Sequence, residues 1–459
     1  MEFLGFDEVV NAVGGNVYVL GRTFEYKSVC IDTRNISSSC IFVAIKGNNF
    51  NGNDYIVEAS SGGAVICIVD EIKFQKEDLN ENTSVVVVKN TREALLKLAE
   101  LYRKKLRVKI IGITGSTGKT STKDLLAGVL SSNFKVFKTK GNFNNEIGLP
   151  LMMFNIDNSY DVAVLEMGMS NLGEIHRLAK TAKPDIAIIT NIGVSHIENL
   201  KNRENILKAK MEITDFFDEN NILIVNGDND LLETINEKLF KVIKVGMMGK
   251  DDYTAENVFL GETESSFKVV EKGSNTSEIF NIGIPGKHNI LNSLLAIACG
   301  RTLGLGFQMM IQGLMNVEIT SMRLDIVRGK KFIIIDDCYN ASPDSMKAAI
   351  DVLKNIDASK KIAIIGEMKE LGEEGYRCHK EIGEYASFNG VDFLITVGKY
   401  NNAYIEGFKD NNRMKNFDNL EDSYEYLRKN ISEGCAVLIK ASRSMKFENI
   451  VNELKKLNC

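Results

Sequence analysis

The segment from Val108 to Thr122, VKIIGITGSTGKTST, restricts the possible fold more than any other part of the chain. An apolar run typical of a strand leads into a glycine-rich stretch, and the residues that follow are compatible with a helix. Glycines let the backbone approach an anion closely, while amide N–H groups and the helix N-terminus attract phosphate oxygens. The segment therefore predicts a strand, a phosphate-binding loop and a helix within an α/β sheet.

The glycine spacing of this loop departs from the common pattern GxxxxGK[ST]. Ile113 stands where that pattern has its first glycine, and Gly115 follows two residues later. Lys119 is expected to neutralise charge on the β- and γ-phosphates of a nucleotide, and Thr120 to offer its hydroxyl to Mg2+. The alternative is a glycine-rich turn with an exposed lysine, which the neighbouring strand and helix make less favourable.

The remaining chain repeats the alternation of apolar runs and helix-length segments. A length of 459 residues exceeds what one hydrophobic core usually organises, which indicates about three units. We expect an α/β fold with a small mixed α/β domain over residues 1–106, a central, mostly parallel sheet over 107–315 and a second open α/β sheet over 316–459. Ligands gather at the carboxyl ends of such strands, so a cleft between the second and third domains is the expected site.

Composition excludes several classes of partner. The net charge of -5 comes from 56 basic and 61 acidic residues spread along the chain, which favours neither nucleic acid nor an acidic membrane. Asp7 and Glu8 lie where a signal peptide needs hydrophobic residues, and no apolar stretch is long enough to span a bilayer. Eight cysteines without a CxxC pair indicate reduced thiols. We expect a cytoplasmic protein without stable membrane insertion.

Three further polar residues follow apolar runs of the central region. Glu166 ends DVAVLEMG, where an acidic residue commonly meets the metal of a bound nucleotide, although such a glutamate is often only a surface or capping residue. His196 follows DIAIITNIG and is interpreted as a second metal ligand, a nucleotide contact or an ordinary loop histidine. Lys210, in KAKMEI, carries a charge that would repel Mg2+, so these residues alone indicate a solvated lysine.

Together and in this order, the motifs resemble those of the Mur ligase family. Its phosphate loop, TGxxGK[TS], corresponds to Thr114–Thr120 and accounts for the unusual glycine spacing. The resemblance continues through GNFNNEIGLP, TNIGVSHIENL, GKHNILN, DDCYNASPDSM, GEMKELGEEG and KASRSMKFENIV, and covers nearly the whole chain. It implies an N-terminal UDP-sugar domain, a central ATPase domain and a C-terminal Rossmann-like domain that closes over the active site.

Within that family, GNFNNEIG, DDCYNASPDSM and GEMKELGE are most similar to members that add D-alanyl-D-alanine to UDP-MurNAc-tripeptide. The resemblance implies ATP and Mg2+ as cofactors, an acyl-phosphate intermediate and a monomer. It implies catalytic roles for Lys119, Glu166, His196 and Lys210, and Mg2+ ligation by Thr120, Glu166, His196 and Lys210. Lys210 would be carbamylated, which replaces the repelling ammonium by an anionic oxygen ligand.

The other site residues also follow from the resemblance. The ATP site would comprise Gly115, Ser116, Thr117, Gly118, Lys119, Thr120, Ser121, Asn289, Asn292, Arg323, Asp337, Tyr339 and Asn340. The UDP-sugar substrate would contact Thr33, Arg34, Lys46, Gly47, Asn142, Asn144 and Asn145. Thr33 stands where the family has serine, NGND replaces DGHD, and Ala441 replaces a glycine. These departures affect individual contacts at the two ends of the chain more than the chemistry.

Two alternative functions remain open at this point. Another amide ligase of the superfamily, such as folylpolyglutamate synthase, would not need an N-terminal UDP-sugar domain. A nucleotide-dependent switch would hydrolyse ATP without acyl transfer and would leave the GNFNNEIG and DDCYNASP segments unexplained. An NAD enzyme is excluded because no GxGxxG opens a βα unit followed by the expected acid.

Overall fold

The computed structural model describes residues 1–23, 25–274, 276–315, 317 and 320–458 of the chain. Within these ranges the strands form three sheets, which have five, nine and six strands in chain order. Most neighbouring strands in each sheet are parallel. The predicted α/β class, with a mostly parallel central sheet, is therefore confirmed, and the first and third sheets are mostly parallel as well.

The first sheet lies in the N-terminal part of the chain. Its strands are β1 Asn16–Val19, β2 Ser28–Cys30, β3 Cys40–Val43, β4 Ala64–Val69 and β5 Ser84–Val87. Its helices are α1 Phe6–Val13, α2 Ile56–Ser61 and α3 Thr91–Arg103. The strand order is β1-β5-β4-β3-β2, with only β1 antiparallel to its neighbour among these strands. The predicted apolar runs form β2 to β5, whereas the mostly exposed β1 lies outside them.

The central sheet contains the predicted phosphate-loop strand. Its strands are β6 Lys109–Thr114, β7 Val136–Lys138, β8 Val162–Glu166, β9 Ile186–Ile189, β10 Ile222–Asn226, β11 Lys241–Gly246, β12 Tyr253–Leu260, β13 Ser265–Glu271 and β14 Ser277–Ile282. The order β14-β13-β12-β11-β10-β9-β6-β8-β7 places β6 between β9 and β8. The strands β12 to β14 pair antiparallel, as the alternating pattern near residues 253–284 predicts.

The helices of the central region cover this sheet. They are α4 Lys119–Ser131, α5 Gly148–Met153, α6 Glu174–Ala182, α7 Ile197–Leu200, α8 Arg203–Met211, α9 Lys287–Thr302 and α10 Phe307–Met315. Helix α9 is buried on all sides and packs against α4. Because a helix without a solvent face must satisfy its polar side chains internally, the buried asparagines of α9 are hydrogen-bonded, and Asn292 contacts the phosphate-loop helix.

The third sheet repeats the α/β alternation. Its strands are β15 Asp325–Arg328, β16 Ile333–Asp336, β17 Lys360–Ile365, β18 Phe393–Val397, β19 Met414–Phe417 and β20 Cys435–Lys440. Its helices are α11 Pro343–Asn355, α12 Gly375–Phe388, α13 Asn401–Phe408, α14 Glu421–Asn430 and α15 Glu448–Leu457. The order is β15-β16-β20-β17-β18-β19, and only the β15 pairing is antiparallel among these strands.

Helix α3 joins the first sheet to the central one. Tyr102 is fully buried; its hydroxyl donates to the Ile156 carbonyl at 2.6 Å and accepts the Glu2 N–H at 2.7 Å. Its ring packs against Phe154, with 5.6 Å between ring centroids. Burial of such a side chain stabilises the fold by roughly 2 kcal/mol. One continuous apolar cluster therefore runs through both regions.

Two whole-chain expectations can be compared with the described residues. Among them, no helix is both long enough and apolar enough to cross a membrane. The seven described cysteines are free thiols, and all of these except Cys30 are buried. The eighth, Cys459, lies outside the described residues.

Candidate active site

The predicted phosphate loop connects β6 to α4 and is held by the segment that follows β9. The Ser116 N–H donates to the Asn191 carbonyl at 3.0 Å, and the Thr117 N–H donates to Asn191 Oδ1 at 2.8 Å. The Gly193 N–H donates to Ser116 Oγ at 2.9 Å. The neighbouring loop therefore preorganises the phosphate loop, so that little backbone ordering has to accompany phosphate binding.

Two glycines explain the spacing of the loop. A Cβ on Gly115 would lie only 1.8 Å from Thr190 Oγ1, so no larger residue fits against the adjacent strand end. Gly118 has a φ angle of +81°, in the left-handed region that favours glycine, and immediately precedes α4. Close packing against β9 and a sharp entry into the helix therefore require glycine at these two positions.

Lys119 opens α4 and points back over the loop. Its ammonium donates to the Gly115 carbonyl at 2.7 Å. Burial lowers the pKa of Lys119, and the nearby Glu166 carboxylate opposes that shift. A bound phosphate would supply the further negative charge that stabilises a buried ammonium, which agrees with the predicted role of this lysine.

A cleft of about 630 Å³ opens in front of the loop, between the central and C-terminal sheets. Predicted residues of the central region that line it are Ser116, Thr117, Gly118, Lys119, Thr120, Ser121, Asn142, Asn144, Asn145, Glu166, His196, Asn289 and Asn292. Those of the C-terminal region are Arg323, Asp337, Tyr339 and Asn340. The fold thus gathers most of the predicted site residues into one cleft.

Glu166 and Thr120 both line this cleft and both carry a side-chain oxygen that could bind a metal ion. Glu166 ends β8 and is 2% exposed, and its Oε1 has no hydrogen-bond partner among the described residues. Thr120 lies in the first turn of α4 and is also buried. A carboxylate and a hydroxyl are hard ligands that suit Mg2+. The described part of the chain contains no cluster of three His, Cys, Asp or Glu side chains suited to a metal, so a site here must draw on other ligand types.

His196 adopts a left-handed backbone conformation, with a φ angle of +63°, immediately before α7. Its Nδ1 lies 2.7 Å from Glu370 Oε2 of the C-terminal region, but out of line for a hydrogen bond, so the contact is an ion pair when the imidazole is protonated. The His196 contact holds the pKa of Glu370 below its usual value. In the neutral imidazole with its proton on Nδ1, the side that faces Glu370, the lone pair of Nε2 remains for a metal or a nucleotide.

Lys210 lies behind the cleft wall, in α8, and is only 2% exposed. Burial lowers its pKa well below the usual value, and the like charge of Lys119 acts in the same direction. The structure therefore contradicts the interpretation of Lys210 as a solvated lysine. It is a buried amine close to the phosphate loop.

Asn289 and Asn292 lie in the first turns of α9 and face the cleft. The N-cap of α9 is Gly286, so capping does not account for Asn289, which instead donates to the Pro285 carbonyl at 2.7 Å. Asn292 Oδ1 accepts from Thr122 Oγ1 at 3.2 Å. Asn292 thus links α9 to the phosphate-loop helix, and its Nδ2 donates to Asn289 Oδ1 at 3.2 Å.

The C-terminal sheet contributes charged side chains to the cleft, namely Asp337, Lys440 and Arg323. Asp337 Oδ2 lies 2.5 Å from the Lys440 ammonium, which also donates to the Asn340 carbonyl at 2.9 Å. The Arg323 guanidinium stacks over the Tyr339 ring, 4.3 Å from its centroid. Lys440 is not among the site residues predicted from the sequence. A lysine that ends the fully buried run CAVLIK is the signal that marks it.

The predicted N-terminal contacts do not belong to this cleft. Arg34 pairs with Asp32 at 2.6 Å, and Lys46 pairs with Glu71 at 3.0 Å; both basic side chains are exposed. Thr33 begins the short turn after β2, and Gly47 follows Lys46 after β3. These residues lie at the carboxyl edge of the first sheet, apart from the phosphate loop.

Family models match three successive parts of the chain. The model described as Mur ligase family, catalytic domain, matches residues 25–103, and the Mur ligase middle domain matches residues 113–300. The model described as Mur ligase, glutamate ligase domain, matches residues 322–443. The middle-domain match contains the phosphate loop, and the third match contains Arg323 and Lys440.

Individual relatives cover almost the whole chain. The UDP-N-acetylmuramoyl-tripeptide–D-alanyl-D-alanine ligase of Bacillus subtilis is 38% identical over 431 residues, 93% of this chain and 92% of that protein. The crystal structure of MurF from Acinetobacter baumannii has a TM-score of 0.90 at 26% identity and covers 99% of both chains. MurF ligase from Thermotoga maritima in complex with ADP has a TM-score of 0.83 at 29% identity, covering 94% of this chain and 97% of that one. This chain belongs to the Mur ligase family.

Proposed function

We propose that this enzyme joins D-alanyl-D-alanine to UDP-N-acetylmuramoyl-tripeptide at the expense of ATP, forming UDP-MurNAc-pentapeptide, ADP and phosphate for peptidoglycan synthesis. The name of the full-length relative from Bacillus subtilis supports this assignment, and the ADP complex from Thermotoga maritima supports ATP use. The observation that carries the proposal is the cleft itself. It places the phosphate loop and Glu166 opposite Arg323 and Lys440.

The first step activates the tripeptide. An oxygen of its terminal carboxylate attacks the γ-phosphorus of ATP, the bond to the bridging oxygen of ADP breaks, and an acyl phosphate forms. The phosphate-loop amides and Lys119 would hold the transferring group, because phosphoryl transfer depends chiefly on positioning and on stabilisation of spread negative charge. Arg323 lines the other side of the cleft and would add positive charge there.

The second step forms the amide. The amine nitrogen of D-alanyl-D-alanine attacks the acyl carbon, a tetrahedral intermediate forms, and inorganic phosphate leaves as a base in the cleft takes the amine proton. Since acyl phosphates hydrolyse readily, the cleft must exclude water before this attack. The contact between His196 Nδ1 and Glu370 Oε2, which are 2.7 Å apart, supports such closure because it joins the central and C-terminal regions across the cleft.

The residues at the predicted metal position fit Mg2+. Glu166 presents a buried carboxylate oxygen without a hydrogen-bond partner, and Thr120 presents a hydroxyl from the first turn of α4. His196 would contribute Nε2 and Lys210 a carbamate oxygen. When bound, Mg2+ would neutralise phosphate charge and align the oxygens of the transferring group.

Carbamylation of Lys210 is supported by its surroundings. A lysine must be neutral for its nitrogen to attack carbon dioxide, and Lys210 is buried beside another lysine, which disfavours the ammonium form. The reaction forms an N–C bond and releases one proton, so the product is an anionic carbamate. It would convert a neighbour that repels Mg2+ into an oxygen ligand.

The remaining assignments follow the arrangement of the sheets. We propose that residues 1–106 bind the UDP part of the substrate through Thr33, Arg34, Lys46 and Gly47, that residues 107–315 bind ATP, and that residues 316–459 close the site. Asn142, Asn144 and Asn145 line the cleft and would contact the sugar-peptide part. We further propose that the protein is a monomer, because a single chain supplies every wall of the cleft. We also propose that it lies in the cytoplasm.

The experiment that tests this function follows phosphate release and product mass together, with Mg2+-ATP and UDP-MurNAc-tripeptide, in the presence and absence of D-alanyl-D-alanine. We expect phosphate release that depends on the dipeptide, with the mass of the pentapeptide product. ATP hydrolysis without a coupled product would contradict the ligase assignment and favour a switch. Failure to bind the UDP-sugar, with turnover of another amine, would favour a different amide ligase.

A further inference from the structure

Two charged residues in the second turn of α4 have no part in the mechanism above. Lys123 and Asp124 follow Lys119 and Thr120 by one helical turn, and their side chains are only 3% and 1% exposed. Burying charged groups is costly unless each is paired. We therefore expect both charged side chains, which lie directly beneath the phosphate loop, to have specific partners of opposite charge or hydrogen-bond partners.

Asp124 attaches the chain that leads into the C-terminal sheet. Its Oδ2 accepts the Thr320 N–H at 3.0 Å and the Thr320 hydroxyl at 2.6 Å. Its Oδ1 accepts from the Lys138 ammonium at 2.8 Å. Thr320 lies between α10 and β15, three residues before Arg323. The carboxylate therefore fixes the connection between the central and C-terminal regions to the phosphate-loop helix.

Lys123 links the same carboxylate to the proposed metal position. Its ammonium lies 3.4 Å from Glu166 Oε1 and 3.5 Å from Asp124 Oδ1. Glu166 is 2% exposed, and its Oε1 has no hydrogen-bond partner among the described residues, so the Lys123 ammonium is its nearest ion-pair partner, with the charge of Lys119 also close by. A divalent cation beside Glu166 would repel the Lys123 ammonium. Asp124 would then be the remaining acidic neighbour of Lys123.

We propose that Lys123, Asp124 and Thr320 form a hinge clamp, in which Asp124 fixes the pivot of domain closure and Lys123 couples that pivot to metal binding at Glu166. The coupling half of this inference rests on the proposed Mg2+-ATP site. Asp124 and Lys123 are positioning residues, since they act through Thr320 and Glu166 and not on the substrate. The helix that binds the phosphates thereby also sets the position of Arg323.

Hydrogen exchange of the Thr320 amide, measured by mass spectrometry, tests the clamp. The protein is compared alone, with ADP, and with ADP and Mg2+. In Asp124→Asn without ligand, we expect exchange to become faster by about ten-fold, because the acceptor loses its charge and a hydrogen bond to a neutral acceptor is weaker. In the unaltered protein, Mg2+-ADP should slow exchange further as the regions close.

Lys123→Met tests the coupling separately, because it removes the charge and keeps most of the side-chain volume. This variant should keep the ligand-free protection of Thr320 but lose the additional slowing by Mg2+-ADP. Thr320→Val keeps the N–H and removes only the hydroxyl, so it carries the test of the pivot if Asp124→Asn does not fold. Lys97→Met removes an exposed ion pair with Glu93 on the surface of α3 and serves as the matched control, with no expected change.

Steady-state kinetics provide a second measurement. Loss of the pivot should lower kcat by about ten-fold, a typical size for coupling between sites, while KM for ATP stays within about two-fold because the loop itself is unaltered.

Unchanged Thr320 exchange in Asp124→Asn and Thr320→Val would overturn the pivot, and a normal Mg2+-ADP response in Lys123→Met would overturn the coupling. The exchange experiment needs no turnover. If the unaltered protein ligates its substrates but exchange in the variants is unchanged, the clamp alone is rejected. If the unaltered protein does not ligate, the proposed function is rejected.

Discussion

At the scale of single residues, the phosphate loop shows how close packing and charge are combined. Gly115 has no room for a side chain against Thr190, and this places its carbonyl where Lys119 can donate to it. The ammonium of Lys119 is thus held over the loop in the ligand-free arrangement. A phosphate that enters the loop would meet a positive charge already in position, so little reorganisation accompanies binding.

Lys119→Ala should abolish most phosphoryl transfer without unfolding the protein. We expect kcat to fall by about 10³-fold, because the ammonium stabilises charge that develops on the transferring group. The midpoint of thermal unfolding should change little, since the loss of a buried positive charge offsets the loss of its single hydrogen bond to Gly115. A variant with normal ATP-dependent turnover would show that Lys119 has no such role.

Lys210 allows a direct chemical test. Protein equilibrated with ¹³C-labelled bicarbonate should show a carbamate resonance that is absent from Lys210→Arg, because arginine forms no carbamate. Activity of the variant should be about 10²-fold lower, the usual size of effect when a group around a metal site is lost. An active, substrate-bound enzyme whose mass and spectrum show only unmodified lysine would refute the carbamate.

At the scale of secondary-structure elements, α12 illustrates how a buried polar residue fixes a loop of the site. His379 is fully buried; its Nε2 accepts the Met368 N–H at 2.9 Å, and its Nδ1 lies 2.5 Å from the Gly375 carbonyl. The ring also stacks on Tyr400. The segment thus held leads directly to Glu370, the partner of His196. His379 therefore supports the cleft without lining it.

The same histidine predicts a dependence of stability on pH. Burial lowers the pKa of His379 from 6.5 to about 4. Below pH 6.5 the unfolded chain binds a proton that the folded chain does not bind until about pH 4, so the stabilisation present above pH 6.5 is lost as the pH falls through this range. The loss amounts to about 3 kcal/mol for a shift of this size.

Urea unfolding at several pH values between 7.5 and 4 checks this prediction. His379→Gln cannot take up a proton, so its free energy of unfolding should fall less steeply with decreasing pH than that of the unaltered protein. His288 is half-buried, its pKa is also lowered to about 4 by desolvation, and it should retain part of the slope. Equal slopes for the two proteins would show that His379 does not titrate in this way.

At the scale of the whole molecule, the cleft depends on two sheets from distant parts of the chain. The phosphate loop and Glu166 belong to the central sheet, whereas Arg323, Asp337 and Lys440 come from the C-terminal one. The joint between them includes the contact of His196 with Glu370 and the hydrogen bonds of Asp124 with Thr320, and Val194 and Ile197 of the central region also pack against the C-terminal core. A joint with such polar contacts is compatible with relative domain motion.

Small-angle scattering should therefore detect closure. We expect the radius of gyration to decrease when a non-hydrolysable ATP analogue, Mg2+ and UDP-MurNAc-tripeptide are all present, because bound ligands bridge the two sheets. Glu370→Gln removes the charge opposite His196 and should shift this transition to higher ligand concentrations. A radius of gyration that does not change with ligands in the unaltered protein would argue against closure.

Much of the fold and of the site follows from local sequence. The apolar runs predict β2 to β6 and β8 to β10, because fully buried strands consist of consecutive apolar residues. The loop around Lys119 is recognisable because its glycine pattern serves a local steric need. Strands such as β1 and β19 lie outside the predictions, since short segments of mixed polarity depend on their neighbours for stability.

Charges and their partners over long distances in the chain depend on how the fold packs. Local sequence is enough to predict the loop that carries Lys119 and the strand that ends at Glu166. It did not determine that Lys210 is buried, that Lys440 pairs with Asp337, or that Asp124 holds Thr320. The physical reason is that desolvation and ion pairing depend on which groups the fold packs around a charge, and those groups come from elements far apart in sequence.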